Sequence, residues 1–308
     1  MEQRNIGRSG LRASVVGLGC NNFGWTIDAD ASRKVVDKAY DLGVTFFDTA
    51  HVYGSTFGNS EEVLGDLIKG RRDEIILATK FSGSPARPRD NSRRFVLSEV
   101  ENALRRLKTD WIDIYMIHWP DFTTPMEEVI RTLDDIVRSG KARYIGCSNL
   151  SPWRMVEAQW IAKELGAHKM ITGQYEYNLL NRDVEKEMVP AMQAYGLGLV
   201  PYFPLASGLL TGKYLDEGAT GRLADNFLGL GNRLLTEANL EKVRKLDAFA
   251  RKNGHSLLEL AMSWVAQQPA VVSVIAGATR PEQLEQNVSA VNWTIDAGQL
   301  GEIDALLA

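Results

Sequence analysis

Asp48, Tyr53, Lys80 and His118 each stand at or just beyond the end of a predicted β-strand, so one fold can bring all four to a single rim. Asp48 ends the apolar run of VTFFDTAHVYG (44–54), and Tyr53 follows it in a turn; Lys80 closes EIILATK, and His118 closes the run DIYMIH. A phenol is a weak acid near neutral pH. A neighbouring ammonium and imidazole are expected to stabilise its anion and bring its pKa down, so that Tyr53 can hand over a proton. Asp48 is expected to pair with Lys80, because a buried lysine without a partner tends to lose its charge.

Those residues need a scaffold that presents strand ends together. Short β-branched or apolar runs at 15–19, 44–48, 74–80, 113–119, 142–148, 170–176, 198–204 and 271–277 alternate with helical patterns along nearly the whole chain. No Pro/Gly/Ser-rich linker interrupts them, so the expectation is one domain over 1–308. Between the runs, Val96, Val100, Leu104 and Leu107 repeat at helical spacing, and Ser151-Pro152 opens a segment that Gly166 closes. Thr124, Pro125 and Glu127 read as an N-cap, a first-turn proline and a capping-box glutamate. Eight strand-helix units in a row predict an α/β fold of the (β/α)8 TIM-barrel type, whose reactive groups lie at the carboxyl ends of the strands. The N-terminal segment around Arg8-Ser9-Gly10 is expected to form a β-hairpin closing the barrel base. A doubly wound open sheet is the alternative, but the first strand leads into Gly17-Leu18-Gly19-Cys20-Asn21-Asn22, which lacks the third glycine of a dinucleotide fingerprint.

Composition narrows the partners. The net charge of −4 over 308 residues, with scattered arginines, offers no basic face for phosphate backbones, which argues against nucleic acid. The N-terminus lacks an apolar core of signal-peptide length and no segment approaches a membrane span, so a cytoplasmic protein without a membrane partner is expected. Two cysteines, Cys20 and Cys147, and four histidines show no metal-ligand spacing, and no metal is expected.

The ordered series GLG, FFDTAHVYG, ATK, IHWP, IGCSN, QYEYN, PLASGLLTGKY and GATRPEQLEQN, spread over essentially the entire chain, resembles the aldo-keto reductase superfamily. That resemblance implies a metal-free barrel that reduces carbonyls with NADPH. It matches Tyr53 to the general acid, Asp48 and Lys80 to its tuning pair, and His118 to the residue that orients the carbonyl. It places the nicotinamide carboxamide on Ser148, Asn149 and Gln174, and stacks the nicotinamide ring on Tyr202. It puts the diphosphate along Leu205, Ser207, Gly208, Leu209, Thr211 and Lys213, where small residues permit close approach and Lys213 opposes the charge. The 2′-phosphate is assigned to the segment from Gly277 through Thr279 and Arg280, beside a helix that Pro281 begins, with Gln283 and Asn287 on the adenine and its ribose. Gln286 and the sequence around Ala278 depart from many relatives, which leaves NADH possible alongside NADPH.

The substrate is expected to be a small carbonyl compound or alcohol. Phe23, Trp25, Phe81 and Trp119, with Phe57, are the predicted apolar pocket. The segment from Tyr214 to Leu235 is read either as a mobile cover or as an ordered surface loop. Two other readings compete: a nucleotide-binding regulatory subunit, resembling channel-associated members of the superfamily, and a glycosidase using Asp48 with Asp121 or Glu176. The oligomeric state is not legible.

Overall fold

Side chains on a strand alternate between its two faces, so each barrel strand presents one face to the barrel interior and the other to the helices. The computed structural model describes residues 1–216, 218–226 and 229–307. Two short strands, β1 (Gln3–Asn5) and β2 (Arg12–Ser14), pair antiparallel as the predicted hairpin. Among the described residues eight further strands run parallel: β3 (Val16–Gly19), β4 (Phe46–Asp48), β5 (Ile76–Phe81), β6 (Ile112–Ile117), β7 (Ala142–Ser148), β8 (Met170–Glu176), β9 (Gly198–Tyr202) and β10 (Val274–Gly277). They pair in chain order, and β10 returns to β3. Val272 N donating to Leu199 O at 2.9 Å closes the gap between β9 and β10. The fold is the (β/α)8 barrel.

Ile6 and Ala13 from the hairpin pack with Phe46, Ile76, Ala78, Ile114, Met116, Val200, Val272 and Ile275 in one cluster inside the barrel, so the hairpin is the floor of that core. Gly7 makes the close approach possible. Its φ is +55°, and a Cβ there would meet Ile171 O at 2.3 Å. Intervening residues such as Phe47, Leu77, Tyr115 and Ile145 face outward into a second, larger core under the helices. That layer includes α1 (Ala29–Asp41), α2 (Asn59–Leu67), α3 (Arg93–Leu107), α4 (Met126–Arg138), α5 (Pro152–Leu165) and α6 (Met188–Tyr195). A short α7 (Leu230–Leu234) and α8 (Glu237–Lys252) precede α9 (Leu257–Ala266), and α10 (Pro281–Ser289) and α11 (Ala297–Leu307) complete the chain. The predicted apolar stripe of α3 is buried throughout, and Gly166 ends α5 in the left-handed conformation.

Two local expectations need correction. Six of the eight strands are shorter than their apolar runs, while β7 and β8 match theirs; β5 begins only at Ile76 because residues 72–74 form a 3-10 turn. The capping box at Thr124 does not form either. Pro125 occupies the cap position, Thr124 Oγ1 donates to Asp121 Oδ2 at 2.6 Å, and Glu127 instead pairs with Arg131 one turn along. A carboxylate three residues upstream is a better partner for the hydroxyl than a helical N–H.

Candidate active site

On six of the eight strands, β4 to β9, the inward face continues to one polar residue at or just past the carboxyl end. Counting in twos from Phe46, Ala78, Met116, Gly146, Thr172 and Val200 reaches Asp48, Lys80, His118, Ser148, Gln174 and Tyr202. Lys80 Nζ donates to Asp48 Oδ2 at 2.7 Å and to Thr49 O at 3.0 Å, and lies 3.5 Å from Tyr53 OH. The Tyr53 and His118 rings meet edge to face with centroids 5.7 Å apart. All four predicted residues therefore converge.

Their electrostatics follow from burial and partners. Burial works against the Lys80 ammonium, yet Asp48 and Tyr53 outweigh it and leave its pKa raised. His118 is driven well below its ordinary value by burial first, then by the positive charge of Lys80, so it is a neutral imidazole at pH 7. The phenol departs from expectation. Burial of Tyr53 raises its pKa by more than Lys80 lowers it, so Tyr53 is a protonated donor rather than a ready phenolate. The desolvation of a side chain cannot be read from its neighbours in sequence.

A second network adjoins this one. Gln174 Nε2 donates to the remaining Asp48 oxygen at 2.8 Å; Ser148 Oγ donates to Gln174 O; Asn149 Nδ2 donates to Ser148 Oγ and to His118 O; and Tyr202 OH donates to Asn149 Oδ1 at 3.0 Å. Asn149 holds a positive φ of 58° to do this. Ala206, Ser207 and Gly208 form a left-handed turn with φ of 46°, 57° and 94°, and Ser207 Oγ is buried without a partner among the described residues. A Cβ on Gly208 would come within 3.2 Å of Lys213 Cε, so glycine keeps this cradle open beside the exposed ammonium. Leu205 is half-buried there, and Thr211 Oγ1 turns back to Gly208 O. The Leu209 side chain is fully buried, so only its backbone is available to a ligand. Gly277 is exposed at the end of β10, Arg280 is exposed at the cap of α10, and Gln283 Oε1 accepts from Thr279 N and Thr279 Oγ1. Asn287 is buried in the same helix. A hydroxyl lacking a partner beside a lysine, followed by an arginine at a helix start, is a donor set that fits a dinucleotide diphosphate and phosphate.

Of the predicted pocket, Trp25 and Trp119 are exposed, as is Phe57. Phe23 and Phe81 are not. Both are fully buried in the outer core, Phe81 against the Tyr115 ring at 4.9 Å, because it is one residue past Lys80 and so faces the helices. Within the segment read as a cover, Glu217, Phe227 and Leu228 lie outside the described residues. Around them Arg222 donates to Asn22 Oδ1, and Leu223 N donates to Tyr214 OH. His51 was missed by the sequence reading, though it lies between Asp48 and Tyr53. It is buried, with ring nitrogens 2.9 Å from Lys80 O and 2.7 Å from Gly83 O, and so fixes the strand end that carries Lys80.

The glycosidase reading fails on the same geometry. Asp48 is paired with Lys80, Glu176 with Arg233, and Asp121 accepts from Thr123, Thr124 and the Asn91 amide. None of these three carboxylates is left free to act as the acid or nucleophile that chemistry requires. Among the described residues no cluster of His, Cys, Asp or Glu could hold a metal, and no helix is long and apolar enough to cross a membrane.

The sequence model of the aldo/keto reductase family matches residues 15–308. The chain belongs to that family. It is 38% identical to an L-glyceraldehyde 3-phosphate reductase of Escherichia coli (strain K12), over 100% of this chain and 93% of that protein. It is 38% identical to a probable voltage-gated potassium channel subunit beta of Oryza sativa subsp. japonica, over 95% of this chain and 92% of that protein. An uncharacterized oxidoreductase of Bacillus subtilis (strain 168) is 35% identical over 96% of this chain and 93% of its own length. This aldo-keto reductase is thus an oxidoreductase, and its family works with nicotinamide cofactors, generally NADPH.

Proposed function

We propose that this aldo-keto reductase reduces an aldehyde or ketone to the alcohol, reversibly, with NADPH and with Tyr53 as general acid. The observation that carries the reading is the contact of one buried ammonium, Lys80, with both Asp48 and Tyr53 beside a neutral His118. A bound NADPH would supply a hydride to the carbonyl carbon. Tyr53 then donates its proton to the oxygen as negative charge develops there, and His118, neutral, orients that oxygen by hydrogen bonding. Lys80 offsets the charge left on the phenolate, while Asp48 holds Lys80 in place. In the oxidising direction the Tyr53 phenolate is the base.

Ser148, Asn149 and Gln174 would hold the carboxamide, Gln174 through the Oε1 that its bond to Asp48 leaves available, and Tyr202 would support the ring. Ser207, Gly208 and Lys213 would take the diphosphate, and Thr279 and Arg280 the 2′-phosphate. Trp25 and Trp119 would form the apolar rim. The cytoplasm is the proposed location.

A screen of aldehydes and ketones with NADPH and NADH, followed by loss of reduced-nicotinamide absorbance, tests this. Turnover favouring NADPH is expected. The likeness to a channel beta subunit favours a second reading, a regulatory subunit that keeps the nucleotide site. Tight NADPH binding with no turnover on any carbonyl compound would support that reading against ours.

A further inference from the structure

The loop from Ser82 to Ser92, between β5 and α3, carries two arginines with different fates. Arg87 is committed: it donates to Thr123 Oγ1 at 2.9 Å and lies 3.4 Å from Asp90 and 3.7 Å from Asp121. The acids of this rim are therefore already matched, Asp121 by its hydroxyl and amide donors as well. Arg89 is in no ion pair among the described residues. Its guanidinium lies 4.8 Å over the Trp119 ring, and Trp119 in turn stacks on His118 with centroids 5.7 Å apart and planes 22° apart.

The loop does not leave Arg89 to wander. Asp90 N donates to Ser82 O at 3.2 Å, Asn91 N to Asp121 Oδ2 at 3.1 Å, and Asn91 Nδ2 to Trp119 O at 3.1 Å. The backbone on the carboxyl side of Arg89 is thus pinned both to its own loop and to the turn that bears Trp119. A guanidinium held over an indole ring leaves N–H groups at its edges that can grip two oxygens at once. Its charge also reaches His118 and helps keep that ring neutral, which places it within electrostatic range of the reacting centre.

We propose that Arg89 recognises an anionic group, phosphate or carboxylate, on the carbonyl substrate, with Trp119 as the platform that fixes the guanidinium. This rests on the reductase reading above and adds a substrate class to it: short carbonyl compounds bearing an anion a few bonds from the reacting carbon.

The test compares kcat/KM for matched pairs, glyceraldehyde 3-phosphate against glyceraldehyde for phosphate, and 4-carboxybenzaldehyde against benzaldehyde for carboxylate, in the full-length enzyme and in R89Q. The anionic member is preferred by the native enzyme, and R89Q lowers that preference about 10- to 100-fold, the worth of a lost charge-assisted hydrogen bond. The pair that collapses identifies the anion. R105Q removes the same charge from the exposed face of α3 and should leave the ratio alone. An unchanged ratio in R89Q, or an equal fall in R105Q, overturns the proposal. Calorimetric titration with glycerol 3-phosphate reads the same recognition without turnover. A protein that binds it through Arg89 but reduces no carbonyl would sink the reductase reading alone, and a protein that neither binds it nor prefers any anionic substrate would sink this one.

Discussion

Gln174 Nε2 donates to Asp48 Oδ1 at 2.8 Å, spanning the barrel mouth from β8 to β4. With Lys80 on Oδ2, both oxygens of a buried carboxylate are satisfied, and Lys80 is fixed from the far side of the site. The pair therefore has a structural role beside the chemical one proposed for it.

Breaking it from one side should be costly. D48N leaves the Lys80 ammonium buried beside a neutral amide, and K80M leaves the Asp48 carboxylate without its cation; each is expected to destabilise the fold by about 3–5 kcal/mol in denaturant unfolding. The double variant D48N/K80M should recover part of that loss, because no lone charge remains, while staying inactive. Additive losses in the double variant would show that the two do not act as a pair.

His118 sets a dependence on acid. Its pKa in the folded protein is depressed below the ordinary 6.5, so the folded state binds fewer protons than the unfolded chain. Its contribution to stability is full above 6.5 and is lost as pH falls through the folded value. H118Q should therefore lose less stability than the native protein on acidification below 6.5, and the ring proton of His118 in NMR should not titrate near 6.5. A normal titration there would show the ring to be solvated.

Much of this arrangement was legible in the chain. The barrel follows from eight apolar runs separated by helical patterns, and the convergence of Asp48, Tyr53, Lys80 and His118 follows from polar residues placed where those runs stop. Strand parity also excludes Phe81 from the pocket: it follows Lys80 directly and must face the helices. Phe23 carries no such signal, since its burial depends on how the loop after β3 folds back. Neither the role of His51 nor the direction of the Tyr53 shift was accessible. The first depends on carbonyls of Lys80 and Gly83 brought close by the fold, the second on desolvation.

The nicotinamide choice is open to direct substitution. Arg280 is exposed at the start of α10, beside the Thr279–Gln283 hydrogen bond. R280A should raise KM for NADPH about tenfold or more, the value of one charge-assisted phosphate contact, with a much smaller effect on NADH. Equal effects on the two cofactors would remove Arg280 from 2′-phosphate recognition.

Asp121 holds the rim loops together. D121A removes the acceptor for Thr123, Thr124 and the Asn91 backbone N–H, leaving the buried Thr124 hydroxyl and Asn91 N–H unmatched. A loss of about 1–3 kcal/mol is expected, with faster amide exchange confined to 82–92 and 119–125 and a fall in kcat/KM. Unchanged exchange in those loops would contradict the role given to Asp121.

The most direct test of the central claim is single-turnover reduction of an aldehyde by pre-bound NADPH in the native enzyme and in Y53F. A fall of about 10²- to 10⁴-fold in the hydride-transfer rate, with the NADPH dissociation constant nearly unchanged, is what proton donation by Tyr53 requires. Transfer at the native rate in Y53F would mean that the proton comes from elsewhere.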